Sequence, residues 1–567
     1  MVSLLRSPDL VHWQRVRRTG MRGSSGGGIA LPPGFTPPPE LAGAKAVIFS
    51  SVPMSPSLNP PTGLHLSYAT DEGLLEWTEY RNESAVQSST NATCVICPKL
   101  VPAEYRPGYI GDNYAWSETN GDTHEFFVLS GSTRCAEGHP WCSYAGRGGN
   151  STAQAFVFKS LDLLHWELLS NWNFLPKQQA WPAGVPHSGP SQWPSQRIDT
   201  PDTFPLVNVD TGVEQQAFVW LNSPGCATHW MIGSMDNTTK SLSPSTNIGC
   251  ADRGSGFICQ QSLTTPDGDR VSIGWVSAGG DGWDGAQSLP RVITLDAQGL
   301  LYSPLAALSS LHDKYHFWRH HTVAAGTTEK LEEISAFGGH SHLTLLPQMT
   351  EAGALTLSVL GEINITLQRL CGGKPCQATK TCTGSIVNNS DVRGPGTKLA
   401  ASVPANASLT PEWCQQICCA DKLCAAWTFA NPQPGSGAKP TFDCWTRHAG
   451  STLFHNTCGD GHCWAGLVDG GMGAWSLSVD GAVIGDVRPN VAPLELNDGA
   501  SLGADPHAIE VFLDGELLEV FFGGEVVTKR FASAKSQDVS LSASGADVTV
   551  HLDAWAMSSS VTGGPEE

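Results

Sequence analysis

Apolar residues along the chain occur in short runs, separated by turns rich in Gly, Pro and Asp. The runs "AVIFSSV", "HEFFVLS", "QAFVWLN" and "RVSIGWV" each predict a β-strand, because β-branched and aromatic residues suit a pleated, half-buried surface. The chain contains 61 Gly and 38 Pro residues, which favour short strands and turns over long helices. One segment, "SPLAALSSLHDKYHFW" at 303–318, instead predicts a short connecting helix. The pattern predicts an all-β protein.

A short repeat divides the first half of the chain. "SPDLVHW", "ATDEGLLEW" and "SLDLLHW" end at Trp13, Trp77 and Trp166, and the last two copies follow strand-like runs. Strands grouped in this way without intervening helices indicate a β-propeller with one four-stranded sheet per blade. The first copy occupies residues 7–13, so we expect the sequence to start inside its first blade.

The second half of the chain predicts a β-sandwich interrupted by an insert. Apolar and polar residues alternate within "LTLSVLGEINITLQ" and "AIEVFLDGELLEVFFGGEVVTKRF", a pattern typical of antiparallel β-hairpins. Between them, residues 371–466 contain 10 of the 17 Cys, a density typical of a small disulfide-rich module. The predicted domains are therefore a propeller at 1–302, a linker helix and first sandwich part at 303–370, the insert at 371–466, and the second sandwich part at 467–560.

Charge and hydropathy exclude two classes of partner. The chain has 33 Lys and Arg residues and 53 Asp and Glu residues, which gives a net charge of −20. Nucleic acid is therefore not an expected partner. No apolar run approaches the roughly 20 residues of a transmembrane helix, so no membrane span is expected.

Cysteines and glycosylation sequons indicate an oxidising compartment. Seven N-x-S/T sequons are candidate glycosylation sites, namely Asn82, Asn91, Asn150, Asn237, Asn364, Asn388 and Asn406. With the 17 Cys, they predict a secreted protein or one in an endomembrane or vacuolar lumen. No signal peptide opens the chain, as expected if the sequence starts inside a blade. The Cys94–Cys97 spacing suits zinc, redox chemistry or a disulfide, and the compartment favours the disulfide.

Three aspartates are candidates for sugar chemistry. "YIGDNYAW" contains Asp112, and "RIDTPDTFPL" contains Asp199 and Asp202. Glycoside hydrolysis needs two carboxyl groups across the scissile bond, about 5–5.5 Å apart for retention. In an extended segment, positions three apart point to opposite faces, so we expect only one of Asp199 and Asp202 to face a cavity. The "GSSGG" run formally matches a nucleophile elbow, but no helix pattern follows, which favours a Gly-rich loop lining a pocket.

These motifs together resemble glycoside hydrolase family 32, the invertases and fructan-active enzymes. "SPDLVHW" resembles its S-x-D-L-V-H-W segment, "RIDTPDTFPL" its E-C-P-D-F-F-P-L segment, and "GWDGAQSLPR" its Q-S-L-P-R motif. "GCADRGSGFICQQSLTTPDGDRVSIGWV" resembles its D-x-G-x-x-F-Y-A…R-x-x-x-G-W stretch. The resemblance implies a five-bladed β-propeller, with the first blade incomplete here, followed by a β-sandwich. It also implies retaining cleavage of β-fructofuranosidic linkages in sucrose or fructans, with no cofactor.

The resemblance assigns roles residue by residue. Asp199 falls on the family's acid/base Glu and is one methylene shorter. Asp112 falls on the Asp of R-D-P, which grips fructose hydroxyls, but Gly111 replaces the Arg. Ser25 is the best candidate for a sugar contact. The nucleophile motif W-M-N-D-P-N-G has no counterpart in this chain, and a retaining mechanism fails without its nucleophile.

The insert resembles a PAN/apple module, a family whose members commonly bind protein or carbohydrate. The resemblance rests on "NNSDVRG", "WCQQICCADKLCAAWTF" and "DCWTR". The disulfide candidates are Cys382, Cys414, Cys418, Cys424, Cys444 and Cys463. Two functions therefore remain open: a glycosidase acting on fructosyl linkages in its full-length form, and an inactive secreted carbohydrate-binding or adhesion protein on the same scaffold.

Overall fold

The structure is a computed structural model of the chain. It describes residues 2–19, 25–51, 63–80, 94–105, 110–134, 152–172, 179–180, 192–193, 198–221, 227–254, 256–277, 285–337, 339–349, 353–371, 374–375, 387–388, 390–393, 396–399, 414, 426–430, 443–447, 452–455, 463–467, 474–480, 482–484, 508–531, 536, 538–559 and 561–562. The chain divides into two compact units. The first contains 1–311, 528–530 and 558–567, and the second contains 312–527 and 531–557.

The first unit is built from short strands. They are β1 Val2–Arg6, β2 Trp13–Thr19, β3 Ser25–Ala30, β4 Ala46–Ser51, β5 Leu64–Ala69, β6 Trp77–Glu79, β7 Asn113–Asn120, β8 Thr123–Arg134, β9 Thr152–Ser160, β10 Glu167–Trp172, β11 Gln179–Ala180, β12 Gln192–Trp193, β13 Asp199–Val207, β14 Glu214–Leu221, β15 Thr228–Met235, β16 Leu242–Cys250, β17 Phe257–Thr264, β18 Arg270–Ser277, β19 Gly285–Gln287, β20 Arg291–Asp296 and β21 Gly299–Pro304. Single-turn 3₁₀ helices lie at Pro39–Leu41, Pro98–Leu100 and Ala103–Tyr105.

Four sheets of this unit repeat one plan. Their strand orders are β3-β4-β5-β6, β10-β9-β8-β7, β13-β14-β15-β16 and β17-β18-β20-β21, with β19 also on β18. A fifth sheet joins β1 and β2 to the C-terminal strand Val561–Thr562, which pairs in parallel with β2. Among the described residues, β11 and β12 form a separate short pair. Successive antiparallel sheets of this kind confirm the predicted repeat of four-stranded units.

The repeat noticed in the sequence is one recurring turn before the last strand of a sheet. In each copy the indole Nε1 donates to the carbonyl of the Leu three residues earlier, in the pairs Trp13–Leu10, Trp77–Leu74 and Trp166–Leu163. Each of these Leu residues has a positive φ, between 53° and 72°. The backbone N–H groups that this bend exposes donate to the Asp of the same copy. Asp236 and Asp296 form equivalent turns in the other two sheets, which sequence comparison missed because no Trp follows them.

The described part of the second unit contains the remaining strands and the helix α1. The strands are β22 His312–Val323, β23 Thr328–Lys330, β24 His340–Met349, β25 Ala354–Val359, β26 Ile363–Cys371, β27 Lys374–Pro375, β28 Val387–Asn388, β29 Ser390–Arg393, β30 Gly396–Leu399, β31 Ala426–Ala430, β32 Asp443–Arg447, β33 Thr452–His455, β34 Cys463–Leu467, β35 Ala474–Val479, β36 Ala482–Ile484, β37 Ile509–Asp514, β38 Leu517–Phe522, β39 Glu525–Arg530, β40 Val539–Ser544 and β41 Val548–Met557. The last three residues of β39 belong to the first unit. The helix α1 spans Glu332–Ser335.

Two sheets of this unit enclose one apolar core. Their orders are β22-β41-β24-β37-β38-β39 and β23-β40-β25-β26-β35-β36. Alternate residues of both sheets, such as Leu343, Leu345, Leu355 and Leu357, are buried in the shared core. This arrangement is the expected sandwich, because a period of two directs one face of each sheet inward.

The segment 303–318 differs from its prediction. Only Ala306–Leu311 is helical, and it is a 3₁₀ helix. From His312 onward the chain is strand β22, which pairs antiparallel with β41. The prediction of a helix over the whole segment is wrong, because pairing with β41 supplies backbone hydrogen bonds to residues whose aromatic side chains also suit a strand.

The Cys-rich segment forms its own sheet. Strands β28, β34, β31, β32 and β30 make up one sheet, and β29 pairs with β33. The sandwich strands on either side of the segment, β26 and β35, pair directly with each other. Cys414 is buried and disulfide-bonded. Cys444 and Cys463 lie on strands described only as backbone, whereas Cys382, Cys418 and Cys424 lie outside the described residues.

Candidate active site

Asp199 and Asp202 begin the first strand of their sheet, and both are almost fully buried. Asp199 is 1% exposed and Asp202 is 0% exposed. In the pairing with β14, Asp199 lies opposite Leu221 and Asp202 opposite Val219, so the strand has an extra residue between them. Thr200, with φ of +40°, lies in this bulge. A bulge breaks the alternation of faces that the sequence argument assumed, so the two carboxyl groups are not separated by simple strand periodicity.

Asp112 lies immediately before β7 and is held from two directions. Its carbonyl accepts a hydrogen bond from the Gly131 N–H at 3.1 Å. Its carboxylate Oδ1 lies 3.5 Å from the Ser51 hydroxyl at the end of β4. The neighbouring Gly111 carbonyl accepts from the Ser130 hydroxyl at 2.8 Å. These contacts place Asp112 near the C-terminal ends of strands β4 and β8, which belong to neighbouring sheets.

The structure brings Asp112 and Asp199 to the same three residues of β8. Ser130 and Gly131 hold the backbone before β7, as described above, and the Ile198 N–H donates to the Ser132 carbonyl at 3.2 Å. A side chain at Gly131 would place its Cβ 2.4 Å from the Ile198 carbonyl oxygen, so only Gly permits this approach. The backbone of Asp112 and of Ile198, the residue before Asp199, is therefore held by neighbouring residues of one strand, β8.

Ser25, the candidate sugar contact, is the first residue of β3. It pairs in register with Ser51, whose hydroxyl contacts Asp112, while the Ser25 side chain lies outside the described part. The expected Gly-rich loop is instead strand from Ser25 to Ala30. The strand packs closely on β7: the Gly27 N–H donates to the Asn113 side-chain oxygen at 2.9 Å, and a Cβ on Gly27 would lie 2.7 Å from the backbone of the neighbouring strand.

Asp202 lies at the centre of a buried polar cluster. Its Oδ2 accepts from the Ser262 hydroxyl at 2.5 Å, and Arg270 Nη2 lies 3.5 Å from its Oδ1. Arg270 also donates to Ser262 Oγ and to the Tyr114 hydroxyl, and its guanidinium lies 4.4 Å from the centre of the Phe204 ring. Burial raises the pKa of the Asp202 carboxyl to about 6, although Arg270 and Ser262 act in the opposite direction.

Sequence reasoning recognised only part of this cluster. Arg270 falls within the R-x-x-x-G-W resemblance, but nothing in the sequence connected it to Asp202. Tyr114 and Ser262 gave no signal, because their roles depend on strands from three different sheets.

The Arg of the Q-S-L-P-R resemblance belongs to a second buried pair. Arg291 is 0% exposed and donates to Asp252 at 2.9 Å. Thr528, which belongs to the first unit, accepts from Arg291 and donates to the same carboxylate through its hydroxyl. The Thr528 and Gly254 N–H groups donate to the other oxygen of Asp252. Arg291 therefore holds the fold together and does not line an open site.

Other predicted sites have mixed outcomes. Cys94 and Cys97 form a disulfide, as predicted. Of the glycosylation candidates, Asn237 and Asn364 are exposed, Asn388 is described only as backbone, and Asn82, Asn91, Asn150 and Asn406 lie outside the described residues. Within the described ranges, three or more metal-ligating side chains nowhere converge, and none of the helices has the length and apolar character to cross a membrane.

Comparisons with known proteins agree with the motifs. Residues 133–304 match the sequence profile "Glycosyl hydrolases family 32 N-terminal domain". A search of curated proteins found no matching sequence.

Solved structures show the fold. A GH32 beta-fructofuranosidase of Bombyx mori in complex with sucrose has a TM-score of 0.53 at 14% identity, covering 99% of this chain and 85% of that chain. Fructan 1-exohydrolase IIa of Cichorium intybus has a TM-score of 0.51 at 14% identity, covering 98% of this chain and 89% of that chain. A beta-fructofuranosidase of Schwanniomyces occidentalis complexed with fructosyl-erythritol has a TM-score of 0.50 at 11% identity, covering 98% of this chain and 88% of that chain.

These similarities confirm the predicted all-β fold of the propeller-plus-sandwich type. Residues 133–304 match the glycosyl hydrolases family 32 N-terminal domain, as the sequence motifs indicated.

Proposed function

We propose that this protein acts on β-fructofuranosidic linkages, as in sucrose or fructans, through Asp199 and Asp112. The observation that carries the proposal is that residues 130–132 of β8 hydrogen-bond to the backbone beside both candidates, at residues 111 and 112 and at Ile198. Glycoside hydrolysis requires an acid/base carboxyl group and a second carboxyl group on opposite sides of the scissile bond, and Asp199 is the candidate for the first. Titles of the similar structures name sucrose and fructosyl-erythritol as ligands of those proteins, which supports a fructosyl ligand here.

In this proposal each carboxyl group has its own task. Asp199 donates a proton to the leaving oxygen and later accepts one from water, and Asp112 grips the hydroxyls of the fructosyl ring. Asp199 is one methylene shorter than the family's Glu, so the substrate must approach about 1 Å closer, a displacement that can cost roughly 100-fold in rate. Retention requires a nucleophile supplied by a longer form of the chain, since no segment of these residues matches the family's motif.

Release of fructose from sucrose and from inulin, by the protein extended to include the nucleophile, tests the hydrolase. We expect Asp199→Asn to lower the rate by about 100-fold or more, because a general acid contributes roughly 10²- to 10⁴-fold. Asp122→Asn, at an exposed position in the β7–β8 turn, is the matched control and should leave the rate unchanged. A rate that survives Asp199→Asn would show that another group is the acid.

The nucleophile needs its own test. The transcript upstream of Met1 should contain an in-frame segment like W-M-N-D-P-N-G, and the protein extended by that segment should release fructose. An upstream sequence interrupted by stop codons would contradict the hydrolase.

A second candidate function is carbohydrate binding without hydrolysis. Gly111 favours it, because this residue is buried and its carbonyl accepts from Ser130 where the family places a guanidinium beside the Asp. The Cys-rich insert would then add adhesion through a protein or glycan partner, as its PAN/apple resemblance implies. Calorimetric binding of sucrose without any fructose release by the extended chain would favour this function.

The proposal includes passage through the secretory pathway. Asn237 in the β15–β16 turn and Asn364 on β26 are both exposed, as an acceptor for N-glycosylation must be. Expression in eukaryotic cells followed by glycosidase digestion should lower the apparent mass. Asn237→Gln and Asn364→Gln should each reduce the mass lost on digestion by the mass of one glycan. A protein whose mass does not change on digestion would contradict passage through the secretory pathway.

A further inference from the structure

A cavity of about 360 Å³ lies beside the Asp202 cluster in the first unit. One wall is formed by β17 and β18, the other by the turn between β1 and β2. The lining residues are Leu10, Trp13, Cys259, Gln261, Ser262, Leu263, Val271, Ile273, Gly274, Trp275 and Gln287. The volume lies within the range of small-ligand sites, about 300 to 1,000 Å³.

The lining chemistry restricts the class of ligand. The two indoles of Trp13 and Trp275 supply flat apolar surfaces, and 44% of Trp275 remains exposed. Gln261 and Gln287 supply amide groups that both donate and accept hydrogen bonds, and Ser262 supplies a hydroxyl whose single proton goes to Asp202. Among the described residues that line the cavity there is no Lys, Arg, His, Asp or Glu, which favours an uncharged ligand.

The polar floor of the cavity is anchored to strand β13. The Gln261 amide donates to the Pro201 carbonyl at 3.2 Å. Ser262 donates to Asp202 and accepts from Arg270, so its hydroxyl is held at a defined angle. A ligand contacting this floor would therefore meet preorganised groups.

We propose that this cavity binds a neutral sugar unit, stacked on Trp275 and hydrogen-bonded by Gln261 and Gln287. Sugar rings carry C–H faces that pack on indoles and hydroxyl groups that pair with amides, and they bear no charge. Neither Asp112 nor Asp199 is among the described residues that line the cavity, so the proposed sugar contacts differ from the proposed catalytic residues. The inference shares a sugar ligand with the proposed function but does not depend on hydrolysis.

Cys259 provides a local reporter, since its side chain is partly exposed and lines the cavity. The experiment measures the alkylation rate of the Cys259 peptide by mass spectrometry, with and without sucrose. The protein carries Asp112→Asn and Asp199→Asn, so sucrose is not consumed. We expect sucrose to slow alkylation at least about threefold at saturation, while cyclohexanol, an apolar ring with one hydroxyl, should give no protection.

Three variants on that background define the site. Trp275→Ala should raise the sucrose concentration needed for protection about tenfold, because loss of an aromatic contact corresponds to that change in affinity. Gln287→Ala, at an exposed position, should raise it severalfold. Phe317→Ala removes an equally exposed aromatic residue from the second unit and should leave protection unchanged. Circular dichroism of each variant checks that the fold is retained.

Three results would overturn the inference. One is alkylation that sucrose does not slow at any concentration, and another is protection that persists in both Trp275→Ala and Gln287→Ala. Protection by cyclohexanol but not by sucrose would show an apolar ligand instead. None of these results depends on fructose release, so the hydrolase proposal can fail while the cavity site stands, or the reverse.

Discussion

Two buried carboxylate–arginine pairs in the first unit differ in how completely they are satisfied. Asp252 and Arg291 approach to 2.9 Å, and Thr528 and Gly254 add three further hydrogen bonds to the carboxylate. Arg270 stands 3.5 Å from Asp202, whose other oxygen accepts from Ser262.

The environments explain the difference. Arg270 divides its donors among Ser262, Thr264 and Tyr114, so less of its charge is committed to Asp202. Arg291 is fully buried and turns toward Asp252 and Thr528. The Asp252–Arg291 pair is therefore a structural clamp, whereas the Asp202 cluster lies beside a cavity and retains a carboxyl group that can titrate near neutral pH.

The largest expected effect comes from breaking the clamp. Arg291→Met should lower the free energy of unfolding by about 3 to 5 kcal/mol, because removing one partner leaves a buried charge unpaired. Urea denaturation of the purified chain measures this change. Adding Asp252→Leu should recover part of the loss, and a double variant as unstable as the sum of its single changes would contradict the clamp.

The matching change in the other pair should cost less. Arg270→Met should lower the free energy of unfolding by about 2 kcal/mol near pH 7, because Asp202 can take up a proton when its partner is lost. The same denaturation experiment applies. A cost equal to that of Arg291→Met would show that the two pairs do not differ.

The titration of Asp202 should appear in the pH dependence of stability. Its pKa is raised to about 6 in the folded protein, so the folded state binds more protons than the unfolded state between about pH 4 and 6. This contribution is fully present below pH 4 and is lost as the pH rises through 6. Asp202→Asn should flatten that part of the curve of unfolding free energy against pH. Asp267→Asn, on the exposed β17–β18 turn, should leave it unchanged.

The smallest expected effect concerns a partly exposed carboxylate in a repeat turn. Asp162 accepts from the Leu164 and His165 N–H groups and pairs with the His165 ring. Asp162→Ala should lower the free energy of unfolding by about 1 kcal/mol, as loss of a comparable cap does. Thermal unfolding should show a shift of a few degrees at most, and a loss as large as that of Arg291→Met would contradict this ranking.

Local patterns in the sequence predicted the elements that depend on near neighbours. The recurring Asp–Leu–Trp turn, the hairpin of β37 and β38, and the buried run of β8 all follow from residues a few positions apart. The helix predicted over 303–318 failed because its competitor was β41, more than two hundred residues later. The Asp236 and Asp296 turns were missed because only their fold position, and not a Trp, identifies them.

By itself, the sequence determined the all-β class, the family of residues 133–304, and Asp112 and Asp199 as the carboxylates to examine. These follow from residue type and order along the chain, which local strand and turn preferences express directly. Only the tertiary structure decided that a bulge separates Asp199 from Asp202 and that β8 binds the backbone at both Asp112 and Ile198. It also decided that Arg270 faces Asp202 while Arg291 faces Asp252. Each of those outcomes depends on contacts between sheets, where burial and the number of available hydrogen-bond partners select the pairing.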